Sequence, residues 1–304
     1  MAITDNEMHG LVTTRFGNRA EIEDKNGNAY ICHIRRALQG LVIGDHVLWH
    51  LDEAAKEPDR GVITKILPRE TVLERPIRYQ GVKPVAANID QIFVTTAIEP
   101  HFSRRILDRY LVAIEQTGID AFIILNKVDL LPEDSKIYSI MMTYEELGYE
   151  VINLSAKQNI GTESLLERLK SHCSIFVGQS GVGKSSLVNR ILPESDIRVA
   201  KLSDTSGLGT HTTTNSRLYH LPNGGIIIDS PGIRDFGMDH LEPDMIAHGF
   251  REFQHLAEHC KFRDCQHMNE PQCSVKEAVQ SGHIDPRRYE SYEILYAEAK
   301  GTDN

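Results

Sequence analysis

Gly178-Gln179-Ser180-Gly181-Val182-Gly183-Lys184-Ser185 is the stretch that decides the fold. It follows the apolar run Ser174-Ile175-Phe176-Val177 and leads into the helix-compatible Ser186-Leu187-Val188-Asn189-Arg190-Ile191-Leu192. A G-x-x-x-x-G-K-[ST] loop between a strand and a helix is a phosphate loop. Its glycines let successive backbone N–H groups turn inward on phosphate oxygens, and the helix N-terminus adds partial positive charge. Lys184 can then reach the outer phosphates, and the Ser185 hydroxyl can ligate Mg²⁺. A nucleoside triphosphate is the expected ligand, cradled by Gly178, Gln179, Ser180, Gly181, Val182, Gly183, Lys184, Ser185 and Ser186.

Two motifs select the base. Asn126-Lys127-Val128-Asp129 stands directly after an apolar strand, where open α/β sheets place ligand contacts. A carboxylate there accepts from guanine N1–H and N2–H₂ together, while adenine would leave it unpaired. Sites that read such hydrogen bonds discriminate by roughly 10⁴-fold. Ser155-Ala156-Lys157, again after a strand, has the backbone position to touch the guanine oxygen. With the phosphate loop these motifs point to GTP. Asp229-Ser230-Pro231-Gly232 is a D-x-x-G in which Asp229 can hold Mg²⁺ through water and the Gly232 N–H can sense a γ-phosphate. Gly207-Leu208-Gly209-Thr210-His211-Thr212-Thr213-Thr214 reads as the loop that completes Mg²⁺ coordination, with Thr213 the first choice and Thr212 and Thr214 next to it. The position after D-x-x-G is Ile233, which can neither orient nor activate water. His211 is therefore the in-chain candidate to position it, beside the catalytic Lys184 and Thr213, and slow intrinsic turnover is expected.

The formal charge of −10 over 304 residues excludes a broad basic surface, so any nucleic-acid contact has to come from local patches. No apolar run approaches membrane-spanning length and residues 1–10 lack a signal-peptide pattern, so a cytoplasmic address and no membrane contact are expected. Residues 1–70 read as five short strands, 10–16, 20–24, 29–34, 46–51 and 61–67, which suits a small OB-type barrel. That segment holds nine Lys and Arg against eleven Asp and Glu, so a strip of Arg15, Arg19, His33, Arg35 and Arg36 reads equally as solvated charge or as an RNA face. Residues 71–237 alternate strands (89–97, 121–125, 151–154, 174–177, 217–221, 225–229) with helices (104–116, 135–147, 162–170), the pattern of an α/β sheet. Residues 238–304 read as helices over 244–258, 274–281 and 287–300, interrupted by a cysteine-bearing turn. There Cys260, Cys265, His267 and Cys273 supply three thiolates and an imidazole, a closed set suited to structural Zn²⁺. His259 in place of His267, or free thiols, are the alternatives.

In most GTPases the phosphate loop comes first. Here the guanine motifs precede it and Asp229-Ser230-Pro231-Gly232 comes last, which is a circular permutation. With a barrel in front and a Cys/His segment behind, the chain resembles the RsgA (YjeQ) family of bacterial ribosome-assembly GTPases over essentially its whole length, including Asn88-Ile89-Asp90-Gln91. The resemblance implies a GTPase, slow alone and stimulated by the small ribosomal subunit, that binds this subunit and its 16S rRNA and acts in late maturation. It also points to the same four metal ligands. GTP and GDP, Mg²⁺ and a structural Zn²⁺ are the expected ligands, and a monomer the expected state. An ATP-dependent P-loop protein is the other enzyme reading, disfavoured by Asp129. An RNA-binding scaffold that keeps GTP for structure is the non-enzymatic one.

Overall fold

The computed structural model describes residues 7–38, 40–52, 61–77, 81–192, 216–229 and 242–301. Its strands are β1 Met8–Phe16, β2 Arg19–Asp24, β3 Ala29–Ile34, β4 His46–Leu51, β5 Gly61–Ile66, β6 Val72–Ile77, β7 Gly81–Ala87, β8 Gln91–Ala97, β9 Asp120–Asn126, β10 Glu150–Asn153, β11 Cys173–Val177, β12 Arg217–His220 and β13 Ile226–Asp229. Its helices are α1 Arg104–Glu115, α2 Ile137–Glu146, α3 Thr162–Leu169, α4 Lys184–Ile191, α5 Pro243–Ile246, α6 Arg251–Ala257, α7 Ser274–Gln280 and α8 Pro286–Ala299. Two compact units result: Met1–Gln91, Thr162–Phe176 and Ser185–Arg234 form one, and Ile92–Gly161, Val177–Lys184 and Asp235–Asn304 the other. Among the described residues no helix is long and apolar enough to cross a membrane.

In the first unit β1 pairs with β2 and β4, β2 with β3, β3 with β5 and β5 with β4, so five strands close on themselves. Closure removes the unpaired edges that short strands would otherwise expose. Alternating residues point inward as Val12, Ala20, Ile22, Cys32, Val47, Trp49 and Ile63, and Leu41 completes the core. The Asp24 carboxylate accepts the N–H groups of Asn26 (2.8 Å) and Asn28 (2.9 Å), which forms the β2–β3 turn. β13 lies parallel to β11 and antiparallel to β12, and β12 meets the barrel at Thr14↔Arg217. This unit also contains a hairpin, β6 with β7, where a strand pair was not expected. Both its strands carry a proline, Pro76 and Pro84, which cannot donate to a ladder and so obscures the strand pattern.

The second unit contains strands in the order β10-β9-β8, with β10 parallel to β9. Every residue of β8 is buried, which is why it reads as a continuous apolar run rather than an alternation. α1 starts at Ser103, whose Oγ accepts the Ile106 N–H, and buries Leu107, Tyr110, Leu111 and Ile114.

The helix expected over 244–258 is instead α5, a 3₁₀ turn Ala247–Gly249, and α6. A Cβ at Gly249 would run into Val112 of α1, and Phe250 leaves helical geometry (φ −97°, ψ 104°) to stack on Phe253 at 5.0 Å. Tertiary packing overrides helix propensity there. The core of this region also includes Ile246, Val275, Ile284, Tyr292, Leu295 and Tyr296. Arg288 of α8 is 1% exposed and pairs with Asp108 of α1 and with both oxygens of Glu252 of α6 (2.8 and 3.1 Å). Its guanidinium lies 4.6 Å from the Phe250 ring, and Tyr144 of α2 donates its hydroxyl to Asp108 at 2.7 Å.

Candidate nucleotide site and metal cluster

β11 runs into the phosphate loop, and Gly178, at φ 140°, takes a backbone conformation that favours glycine. A Cβ there would strike the Thr95 carbonyl of β8, so the loop leaves the strand only because that position is bare. Gly183, at φ 96°, is equally constrained, since a Cβ would strike the Asn126 side-chain amide. Lys184 turns its ammonium back on the loop, donating to the carbonyls of Gly178 and of Gln179 (2.8 Å). Ser180 and Gly181 are exposed at the rim, and Val182 is buried beneath them.

β9 delivers the second motif to the same place. Asn126, 2% exposed, donates from Nδ2 to the Val182 carbonyl at 2.9 Å and accepts from the N–H of Lys127 (2.8 Å) and of Ala156 (3.4 Å). One buried amide thus links all three motifs. Lys127 sits at φ 60° with its Nζ 2.8 Å from the Gly181 carbonyl, which lays its stem across the space beside the loop. The Ser155 hydroxyl donates to Asp129 Oδ1 at 2.5 Å and accepts the Gln158 N–H, fixing the carboxylate with its other oxygen unclaimed by Ser155. Val128 donates its N–H to Leu154, and Lys157 is exposed. Such a half-committed carboxylate beside a lysine stem suits a planar base with two adjacent donors.

Ser185, Ser186 and Asp229 belong to the first unit, Asp229 at the end of β13 and both serines exposed in the first turn of α4. His211, Thr212, Thr213, Thr214, Gly232 and Ile233 lie outside the described residues.

A family model described as RsgA GTPase matches residues 66–239. The small ribosomal subunit biogenesis GTPase RsgA of Haemophilus influenzae (strain 86-028NP) is 49% identical over 94% of this chain and 83% of its own length. The protein of that name from Actinobacillus pleuropneumoniae serotype 5b (strain L20) is also 49% identical, over 94% and 84%. The chain belongs to the RsgA GTPase family. Two solved structures of this kind superpose on it. YjeQ from Thermotoga maritima has a TM-score of 0.76 at 32% identity, covering 97% of this chain and 99% of its own. YloQ, described as a circularly permuted GTPase, has a TM-score of 0.73 at 26% identity, covering 99% and 97%. The permuted order of motifs, the closed barrel and the α/β strands agree with membership of this GTPase family.

The RsgA-type chain carries one further constellation. The ligand atoms of Cys260, Cys265, His267 and Cys273 all lie within 4.8 Å of one another. Cys260 Sγ is 3.9 Å from Cys273 Sγ, and His267 Nδ1 is 3.6 and 3.4 Å from those two sulfurs. A tetrahedron with 2.3 Å metal–sulfur bonds has edges of about 3.8 Å, so these four groups fit around one ion and can hold a metal. Burial pushes the Cys265 thiol up to about 12 and lowers His267, which keeps the imidazole neutral. Burial also raises the Cys273 thiol, and a cation among the ligands would favour the thiolate form of both Cys265 and Cys273. His267 is oriented by the hydroxyl of Tyr289, which donates to its carbonyl at 2.6 Å. His259 is exposed, with its Nδ1 2.9 Å from the His255 carbonyl, and stands apart from the cluster. The other cysteines, Cys32 and Cys173, are lone thiols, each pushed up to about 12 chiefly by burial.

Sequence reasoning missed two sets of contacts. Thr95 contributes a backbone carbonyl, which carries no motif, and Asp108, Glu252 and Arg288 meet across as many as 180 residues of chain.

Proposed function

We propose that the chain hydrolyses GTP while bound to the small ribosomal subunit, assists late maturation of that subunit, and uses its nucleotide state to control association and release. The observation that carries the guanine half of this reading is the Asn126 amide, which joins the base-reading strand to the phosphate loop at Val182. Asn126, Lys127 and Asp129, with the Ala156 N–H, read the base. The backbone of residues 178–186 and the Lys184 ammonium hold the phosphates. To do so Lys184 exchanges its two loop carbonyls for phosphate oxygens, a strengthening from neutral to charged acceptor. Ser185, Thr213 and Asp229 are the groups that would hold Mg²⁺, which neutralises charge on the β- and γ-oxygens when bound. The Gly232 N–H would sense the γ-phosphate. His211 is the residue we assign to orienting water, with stimulation arising on the subunit.

The names of the relatives support the ribosomal partner. Contact with 16S rRNA, a monomeric state, a cytoplasmic address and a structural Zn²⁺ at Cys260, Cys265, His267 and Cys273 complete the reading. So does a functional division into barrel (1–70), GTPase (71–237) and zinc-binding helices (238–304). GTP turnover measured alone, with small subunits and with large subunits tests it. Stimulation by small subunits only is expected, and equal rates in all three would reject the coupling.

A further inference from the structure

The turn after Cys260 carries Lys261, Phe262, Arg263 and Asp264, all exposed. It is short and fastened at both ends: the Lys261 N–H donates to Gln272 and the Cys265 N–H to Phe262, each at 3.3 Å. Its flanking cysteines both belong to the four-residue cluster. Phe262 is 40% exposed on this turn, while Phe250, Phe253 and Tyr292 of the same region fill the core. The Lys261 ammonium lies 5.6 Å from the Phe262 ring centroid, and among the described residues neither Lys261 nor Arg263 is paired with a carboxylate. On a chain of formal charge −10, this turn sets two cations on either side of an exposed ring.

We propose that this turn is a contact for single-stranded RNA, in which Phe262 stacks on an unpaired base and Lys261 and Arg263 meet the adjoining phosphates. A ring platform between cations suits an unpaired strand because every base has a π face and every linkage a charge. A protein partner is the less favoured occupant, since one ring between two cations offers little apolar area to cover. The inference rests on the rRNA reading above and narrows it to three side chains.

Two probes test it on the full chain: isolated small ribosomal subunits, and a single-stranded RNA of about 12 nucleotides with 2-aminopurine at its centre. Phe262→Leu and the double variant Lys261→Ala/Arg263→Ala are compared with the unmodified chain, after bound metal and subunit-free GTP turnover are shown to be unchanged. Phe262→Leu is expected to weaken RNA binding about 5- to 100-fold and to abolish quenching of the 2-aminopurine, with the salt dependence unaltered. The double variant is expected to lower the slope of log affinity on log salt by about 1.4. Phe262→Leu binding both probes like the unmodified chain overturns the proposal, as does a loss on subunits with RNA quenching intact, which would place the turn on a protein. Failure of the unmodified chain to bind subunits at all is a different result, and removes the rRNA reading itself.

Discussion

The side-chain amide of Asn126 donates to the carbonyl oxygen of Val182 at 2.9 Å, and both groups are buried. The strand proposed to read the base is thereby tied to the loop proposed to hold the phosphates. Affinity for the two ends of a nucleotide should therefore be coupled.

Asn126→Ala removes the donor and leaves the Val182 carbonyl without it. A buried acceptor left unsatisfied costs about 1–3 kcal/mol. GDP affinity should fall about 5- to 100-fold, with the larger share in dissociation rate, as measured by stopped-flow with a fluorescent nucleotide. An unchanged dissociation rate would show that the tie does not shape the site.

Arg288 pairs with both Asp108 and Glu252, and its side chain is 1% exposed. Arg288→Met keeps the apolar contacts but strands two carboxylates, so a loss of about 3–5 kcal/mol is expected in urea unfolding. The triple variant Arg288→Met/Asp108→Asn/Glu252→Gln should recover part of that loss, since the penalty belongs to unpaired charge. Because the same group ties α8 and α6 to α1, any displacement of the C-terminal helices has to carry α1 with it.

Asp285 caps α8, accepting the Arg287 N–H at 2.9 Å, and pairs with Arg104 of α1 at 2.5 Å. Burial raises its carboxyl, but the Arg287 N–H and Arg104 outweigh this and hold it below the usual value of 3.8. The sign is that of a depressed acid: the stabilisation is fully present above pH 3.8 and is lost as pH falls below it through the folded value. Asp285→Ala should cost about 1–2 kcal/mol at pH 7 and progressively less below about pH 4. Urea titrations at several pH values would check this, and a cost independent of pH would contradict it.

Emptying the proposed four-residue metal site should loosen the C-terminal region selectively. A strong chelator, or Cys273→Ser, is expected to raise amide exchange in α6, α7 and α8 while leaving the barrel strands β1 to β5 protected. Metal uptake should release protons, and affinity should rise with pH, because thiols that burial raises must be deprotonated. Uniform protection with and without chelator would remove the architectural role.

The legible parts of this chain are those where local pattern and tertiary role coincide. Barrel strands such as Ala29–Ile34 and His46–Leu51 are rich in apolar and β-branched or aromatic residues and are bounded by turn residues, so their limits follow from sequence. The phosphate loop and Asn126–Asp129 are legible because their chemistry demands particular residues at fixed spacing. The β6–β7 hairpin is not, since two prolines erase its ladder signal. Nor is the break at residues 247–250, which depends on Val112 leaving no room for a side chain at Gly249. The Asp108–Arg288 pair joins residues 180 positions apart, and each reads locally as an ordinary surface charge on a helix. Such pairs are set by packing, which periodicity does not report.

Calorimetric binding of GDP and ADP to the unmodified chain and to Asp129→Asn tests the central claim most directly. Ser155 holds Asp129 in place at 2.5 Å, so the carboxylate should impose a guanine preference of roughly 10⁴-fold, and the amide should lose most of it without loss of folding. Equal affinity for the two nucleotides, or a preference that survives Asp129→Asn, would contradict the account.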